Sequence, residues 1–268
     1  ILPTIGPETI KFKNLKFILD KTDIVRLNSS HNTIDWHKSA IKKIKKINSR
    51  SVILIDFPGV KPRTNNKTSR YIKKNEIITF RYGKKKIKDE ILLTRPLPSN
   101  IKAKNFSLDD GKFYFRLISN DNYSIRGKSS QNCIIKPKKG LNIPDSVYDD
   151  KLQEKIYMKY FKLFSRSKID AVGLSFVQNK TIIEKIKKKY PELTLISKVE
   201  NSEGLKNIEE ISKSSDAIMI DRGDLSAEIG NNKLFNGINK ISASCKKFGR
   251  PLIMATENLE SLYNQSIP

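Results

Sequence analysis

From Ser165 onward the chain repeats one unit: a short apolar strand, a polar turn, then a helix with apolar residues on one face. The strands read DAVGLSFV (Asp170 to Val177), LTLISKV (Leu193 to Val199), DAIMID (Asp216 to Asp221) and PLIMAT (Pro251 to Thr256). Between them, SEGLKNIEEISKSS sets Leu205, Ile208 and Ile211 on one helical face, and LFNGINKISASCKKFG does the same with Leu234, Ile238, Ile241 and Cys245. Strands that are apolar throughout have to be covered on both faces, and crossover helices achieve this when the strands run parallel. The alternation therefore predicts an α/β protein with a parallel sheet. The N-terminal part follows the same scheme, with ILPTIG, then DIVRLNS, a helix around Trp36 to Ile47, and SVILIDF.

Between Gly59 and about Asp149 the rhythm changes. Helical periodicity disappears, and short β-like runs alternate with turns: NEIITFRYG, EILLTRPLP, DDGKFYFRLIS, NYSIRGK and NCIIKPKKG. This reads as a small β-rich domain, a barrel or sandwich, inserted into the α/β body. FPGVKPRT and GLNIPDS carry the Pro and Gly expected of its hinges. The predicted division is one discontinuous domain, 1–58 with 149–268, and an inserted domain, 59–148. Three α/β strands precede the insertion and four follow it. Seven is one short of a closed eight-stranded barrel, whose active groups sit at the C-terminal ends of the strands. An open, doubly wound sheet is the alternative.

The charge is heavily positive, with 52 Lys plus Arg against 28 Asp plus Glu, a net +24. A basic excess supplies the phosphate-binding component of nucleic-acid affinity. Here, though, only 11 of those residues are Arg, and the Lys are spread over helices such as SAIKKIKKINSR (Ser39 to Arg50) and IIEKIKKKYPE (Ile182 to Glu192). No basic stretch is interleaved with stacking aromatics. Solvated helix faces account for most of the charge, and nucleic-acid binding ranks last among the readings. Phosphorylated small molecules would still be drawn to such a surface. No run of eighteen apolar residues is present to span a membrane. Cys133 and Cys245 are too few and too far apart for a disulfide framework or a metal knuckle, so reduced thiols in a cytoplasmic protein are expected. The opening ILPTIGPETIKFKN lacks both a secretory leader and an initiator Met, and is expected to be a trimmed start.

The strand ends carry the chemistry. VRLNSSH offers Arg26, Asn28, Ser30 and His31; LIDFPG offers Asp56; ISKVEN offers Lys198 and Glu200; IMIDRGDL offers Asp221, Arg222 and Asp224; IMATEN offers Thr256 and Glu257. One polar strand end commonly does no more than cap the next helix. Five that converge on one barrel mouth read as a site. Lys198 and Glu200 stand two apart in a strand and so share a face. Glu200 and Asp224, from adjacent strands, are placed to share a divalent cation, and with no His or Cys beside them a hard ion such as Mg²⁺ fits better than zinc. The RGDL turn opens a helix, whose free N–H groups suit a small anion. With Lys198, Arg26 and Arg63 adding positive charge, the set reads as phosphoryl transfer.

The motifs TIGPET, VRLNSSH, DFPGVKPRT, DDGK, KKGLNIP, ISKVENSEGLKNIEEI, SDAIMIDRGDLSAEI and GRPLIMATENLESL follow one another in the order seen in pyruvate kinases, and the resemblance covers essentially the whole chain. It implies a TIM-type (β/α)₈ barrel, here lacking its last strand, with a small β-barrel lid inserted after strand three. It also implies phosphate transfer between phosphoenolpyruvate and ADP with Mg²⁺ or Mn²⁺. By the same resemblance, Lys198 stabilises the transferring phosphoryl group, and Glu200 and Asp224 hold the metal. Gly223 and Thr256 match the pocket for the substrate carboxylate, and Arg26 and Arg63 match the phosphate-binding arginines. Asn28, His31, Arg63 and Lys139 match positions near the nucleotide. Asn28, Ser30, Asp56 and the Phe57 carbonyl match a K⁺ cage.

The resemblance has departures. Lys61 stands where K⁺-dependent members have Glu, the pattern of K⁺-independent members, so no K⁺ requirement is expected. Asp221 replaces a small residue before RGD and puts a third carboxylate near the metal. It is expected to turn outward or to pair with a cation; failing both, it implies a different substrate. Glu257, where the family has Gln, raises the same question, and Phe57 and Pro58 replace a lysine-bearing lead-in. LESLYNQSIP ends where the family continues into an eighth strand and a C-terminal domain, so the chain is expected to be a fragment, or one completed by another chain, whose full-length parent is a candidate homo-oligomer. Competing readings are a metal-dependent lyase or aldolase of a pyruvate-like enolate, and a non-catalytic paralogue that binds a nucleotide or a partner protein.

Overall fold

In the computed structural model, residues 1–83 and 89–256 are described. The chain begins with α1 (Phe12–Leu19), β1 (Ile24–Asn28), α2 (Ile34–Ile47) and β2 (Val52–Phe57). It continues through β3 (Arg70–Ile72), β4 (Ile77–Tyr82), β5 (Glu90–Leu93), β6 (Asn105–Leu108), β7 (Phe113–Asn120), β8 (Ser124–Ser129), β9 (Cys133–Ile135) and β10 (Leu141–Asn142). It then returns to the α/β pattern with α3 (Asp150–Phe164), β11 (Ala171–Leu174), α4 (Lys180–Lys189), β12 (Thr194–Val199), α5 (Ser202–Lys206), α6 (Ile208–Ser214), β13 (Ala217–Asp221), α7 (Arg222–Ile229), α8 (Asn231–Lys247) and β14 (Leu252–Ala255).

β1, β2, β11, β12, β13 and β14 form a six-stranded parallel sheet in that spatial order. The order follows the chain and never reverses. A doubly wound sheet must reverse at a switch point, whereas a (β/α) barrel advances strand by strand. The barrel expectation therefore holds, as an incomplete barrel with an inserted β domain. The first segment, ILPTIG, contributes less than expected. It makes only a single bridge, Thr4 beside Arg26, with the Arg26 N–H donating to Pro3 O at 2.9 Å and the Ile5 N–H donating to Arg26 O at 2.8 Å. Pro3 has no N–H with which to extend the ladder.

Side-chain alternation divides the sheet into two faces. Val25, Leu27, Ile53, Ile55, Val172, Leu174, Leu195 and Val199 join the large core beneath the helices. Leu54, Ala171, Ile196, Ala217 and Met219 form a separate cluster on the inner side. Arg26, Asp56, Lys198 and Asp221 fall on the parity of that inner cluster, further along their strands. The barrel interior thus changes from apolar to ionic toward the strand C-termini.

Local signals start the helices. The Thr33 hydroxyl accepts from the Trp36 N–H, and His37, Ala40, Ile41 and Ile44 then form the buried stripe of α2. Asp149 caps α3, Asn179 caps α4 and Asn201 caps α5 in the same way. The sequence predicts one helix over SEGLKNIEEISKSS, but α5 and α6 meet at Asn207 instead. The Asn207 amide donates to Gln178 O at 2.8 Å and to Glu203 Oε1 at 3.1 Å, and these bonds hold the break.

The inserted segment is all β among the described residues. Its main sheet has the order β10-β6-β7-β8-β4-β5, and β3 pairs with β9. Phe80, Phe106 and Phe115 pack together at its centre, with ring centroids 5.2 to 5.7 Å apart. At its neck, Arg63 bridges Gly140 and Thr64 bridges Leu93. Backbone bonds from the Thr94 N–H to Arg63 O (2.9 Å) and from the Thr64 N–H to Lys139 O (2.8 Å) draw three separate stretches of the insertion to the barrel mouth.

Candidate active site

Lys198 is the centre of the ionic end of the barrel. β12 places its side chain inward, 4% exposed, with Nζ 2.8 Å from Glu200 Oε1, 3.1 Å from Asp56 Oδ2 and 3.5 Å from Asp221 Oδ2. It also donates to Ser175 Oγ at 3.2 Å. Burial alone would lower the Lys198 pKa, but Asp56, Glu200 and Asp221 outweigh it, so the pKa rises and the ammonium stays charged.

Arg26 reaches Asp56 from the neighbouring strand with Nε at 3.1 Å and Nη2 at 2.6 Å, and its Nη1 donates to Thr4 Oγ1 at 3.0 Å. Asp56 is 1% exposed. Its burial would raise the carboxyl, yet Lys198 and Arg26 hold it below its ordinary value. Gly173 makes room for this pair, because a Cβ there would lie 3.1 Å from Asp56 Oδ1.

Glu200 is equally buried and receives the Phe176 N–H on Oε2 at 2.7 Å. Phe176 takes φ 62° to deliver that bond, an uncommon conformation for a bulky residue. Burial, opposed by Lys198 and reinforced by Asp224 and Asp221, pushes Glu200 up to about 8. Asp224, in the first turn of α7, pairs with Lys61, which also lies 3.1 Å from Asp110 Oδ1 of the inserted segment. Carboxylate oxygens of Glu200, Asp221 and Asp224 all lie within 4.8 Å of one another. Three oxygen donors with no nitrogen or sulfur among them suit a hard divalent cation. The residues present fit such an ion.

Asp221 turns inward. Its Oδ1 accepts from Thr256 Oγ1 at 2.7 Å, and its other oxygen faces Lys198. Of the outcomes expected for this carboxylate, pairing with a cation is the one observed. Thr256 holds φ 59°, strained for a β-branched residue, and its Oγ1 accepts from the Gly223 N–H at 3.4 Å. Gly223 thus sits at the N-terminus of α7 with an N–H turned toward the site. Glu257 lies outside the described residues.

A cavity of about 60 Å³ is lined by Lys198, Glu200, Asp221, Asp224, Lys61 and Arg63, together with Asn28 and Ser30. Arg26 and Thr256 instead border a larger opening against Ile1, Leu2 and β14. The expected K⁺-cage positions divide. Asn28 Oδ1 accepts from the Ser30 N–H, the Asp56 carboxylate is occupied by Arg26 and Lys198, and the Phe57 carbonyl accepts from the Ser175 N–H at 3.4 Å. Among the nucleotide-side positions, Lys139 pairs with Asp109 at 2.7 Å, and Arg63 Nη1 donates to Lys138 O at 3.2 Å. Burial, with Arg63, Arg26, Lys138 and Lys139 around it, lowers the His31 pKa.

Sequence reasoning missed Ser175, the Phe176 N–H, Asp110 and Arg95. Ser175 and Phe176 were legible as part of DAVGLSFV, where a serine interrupts an apolar run. Arg95, in the cavity lining, follows a short strand and precedes a proline, which carries no functional signal.

A family model for the pyruvate kinase barrel domain matches residues 1–268. Among curated proteins, the chain is 32% identical to a pyruvate kinase of Buchnera aphidicola subsp. Schizaphis graminum, 29% to one of Encephalitozoon cuniculi and 30% to one of Methanocaldococcus jannaschii. Each alignment covers 100% of this chain, but 60%, 64% and 59% of the respective relative. The chain therefore spans about three fifths of the length of these relatives. A match from first residue to last, together with a strand order that independently requires the barrel, leaves one assignment: this chain belongs to the pyruvate kinase family.

Proposed function

We propose that the protein transfers a phosphoryl group between phosphoenolpyruvate and ADP, yielding pyruvate and ATP, with Mg²⁺ or Mn²⁺ held by Glu200 and Asp224. The observation that carries this reading is the Lys198 ammonium, buried among three carboxylates and facing the same cavity as Asp224. A bound divalent cation supplies charge neutralisation on the phosphoryl oxygens. Lys198 adds a fixed positive charge where negative charge develops on the phosphoryl group and the enolate oxygen. With its pKa raised, it works as an electrostatic stabiliser and not as a base. Arg26 and Arg63 orient phosphate, the Gly223 N–H and Thr256 hydroxyl orient the substrate carboxylate, and Asn28, His31 and Lys139 border the nucleotide. The inserted domain, 59–148, excludes water as a lid over 1–58 and 149–268. Lys61 stands in for K⁺. The protein is assigned to the cytoplasm and to a homo-oligomer.

A coupled assay of ADP-dependent pyruvate release tests the reading, with Lys198→Met and Asp224→Ala as inactive controls and EDTA as the metal control. Release that persists unchanged in both variants would refute it. The inward turn of Asp221 favours a second reading, in which the donor is an enol phosphate without a free carboxylate, since Asp221 already takes the Thr256 hydroxyl. Faster turnover of vinyl phosphate than of phosphoenolpyruvate would select it.

A further inference from the structure

Four cations line the small cavity: Lys61, Arg63, Arg95 and Lys198. Lys198 meets three carboxylates, Lys61 meets Asp224 and Asp110, and Arg63 donates to Lys138 O. Arg95 alone of the four is without a hydrogen bond or ion pair among the described residues, although it is half-buried. No carboxylate of the cavity is left for it. Asp224 is committed to Lys61, Glu200 to Lys198 and the Phe176 N–H, and Asp221 to Thr256.

A guanidinium presents five N–H donors in a planar fork that matches phosphate. Holding it partly desolvated without an anion is unfavourable, and here burial pulls its pKa down, opposed by Tyr160 and Tyr157 and aided by the nearby charge of Arg63. The repulsion is built into the backbone: Thr94, next to Arg95, exchanges two hydrogen bonds with Arg63, its N–H to Arg63 O at 2.9 Å and the Arg63 N–H to its hydroxyl at 3.1 Å. Two like charges on hydrogen-bonded segments face one opening. A doubly charged phosphate between them removes the repulsion and fills both donor sets.

We propose that Arg95, carried by the inserted domain, is a phosphate-binding residue that clamps a substrate phosphate together with Arg63. The proposal rests on the phosphotransferase reading above for the identity of that phosphate, which belongs to the enol phosphate or to the nucleoside diphosphate. Because Arg95 and Arg63 both lie on the inserted domain while Lys198, Glu200 and Asp224 lie on the barrel, the same phosphate draws the lid onto the barrel.

The test is calorimetric titration of the purified chain with phosphoenolpyruvate, ADP and inorganic phosphate in separate Mn²⁺-containing experiments, comparing wild type with Arg95→Gln and Arg95→Lys. Loss of a charge-assisted bidentate contact should weaken Arg95→Gln about tenfold or more toward at least one titrant, with Arg95→Lys recovering only part. The titrant affected identifies which phosphate is held. Mn²⁺ affinity should not change, and Arg95→Gln without ligand should melt no lower than wild type, since an unpaired half-buried charge has been removed. Equal affinity of Arg95→Gln and wild type for every titrant overturns the proposal and leaves the kinase reading standing, as does a clear fall in melting temperature, which marks a structural arginine. Arg95-dependent uptake of inorganic phosphate by a chain that ignores both organic titrants supports the arginine and removes the reaction. Uptake of no phosphate at all overturns both.

Discussion

Lys61 reaches from the entrance of the inserted domain onto the carboxylate of Asp224, and Asp110 of the insertion approaches the same nitrogen at 3.1 Å. The Lys61 side chain is 3% exposed, so one cation ties the inserted domain to the first turn of α7 in a nearly dry setting. Burial would lower its pKa, but Asp224 and Asp110 outweigh that and raise it, keeping the charge in place. On the proposed function, a fixed ammonium beside Asp224 would make a mobile monovalent ion unnecessary there. Rates in KCl and in choline chloride are expected to be equal, and Lys61→Glu to need KCl for any activity. Strong stimulation of the wild type by KCl would remove this account.

Gly140 passes so close to that lysine that a Cβ on it would lie 2.4 Å from Lys61 Cε. The lysine end is flexible in general, but here it cannot move without leaving Asp224 and Asp110. Gly140→Ala is expected to destabilise the chain by about 1–3 kcal/mol, as other overpacked sites do, and to reduce activity with it. Urea unfolding and the coupled assay measure the two effects. Wild-type behaviour in both would show that Lys61 has another resting place.

Removal of the Lys198 charge leaves Asp56, Glu200 and Asp221 facing one another. Lys198→Met is expected to lose phosphoryl transfer by about 10²–10³ or more, the scale of a lost electrostatic stabiliser in an enclosed site. It should also lose roughly 3 kcal/mol of stability, because buried charges stay behind without their partner. An inactive variant with undiminished stability would mean that the carboxylates relax or take up protons at little cost.

Asp221 contacts Lys198 and Thr256, two groups that the proposed reaction assigns to phosphoenolpyruvate. At an effective dielectric near 20, a like-charge contact costs a few kcal/mol. Asp221→Ala is therefore expected to lower the KM for phosphoenolpyruvate about tenfold, part of that cost being screened. The same variant, titrated with Mn²⁺ alone, should bind more weakly, having lost one of three carboxylates. A KM that rises instead would place Asp221 among the residues that help the substrate.

Glu228 provides a pH-dependent test at a buried carboxyl one helical turn beyond Asp224. It is 1% exposed, and Oε1 receives the Asn142 amide at 3.2 Å. Burial, opposed by Lys61 and Asn142, pushes its pKa up to about 8. Between its unfolded value near 4.5 and about 8 the folded state holds the extra proton, so the stability this neutral carboxyl contributes is full at the acid end and declines as pH rises toward 8. Glu228→Gln, which stays neutral, should match wild type near pH 5, gain on it as pH climbs and level off above about 8. Melting temperatures across that range measure the gap. A constant gap would indicate that Glu228 is ionised throughout.

The fold was readable because its signals are local. Apolar strands such as Ile53 to Ile55 and Leu195 to Ile196, alternating with capped amphipathic helices, state the α/β class without reference to distant residues. The spacing of Lys198 and Glu200 states by itself that they share a face, and they do, 2.8 Å apart. The break at Asn207 escaped notice because a side-chain bond to Gln178, remote in sequence, decides it. β3, β6 and β10 escaped notice too, being two to four residues long, too short for an alternating pattern to register.

The sequence by itself determined which residues carry charge, which strands they end and what class of cation their oxygens suit, since residue type and the two-residue period of a strand are written along the chain. Only the tertiary structure decided the pairings: the single direction of strand order, the inward turn of Asp221 onto Thr256, Lys61 on Asp224, and Arg95 without a hydrogen bond or ion pair among the described residues. The ionic pairings among them depend on which distant carboxylate lies within reach of a buried cation. That competition is settled by packing between the inserted domain and the barrel, across separations that no local pattern encodes.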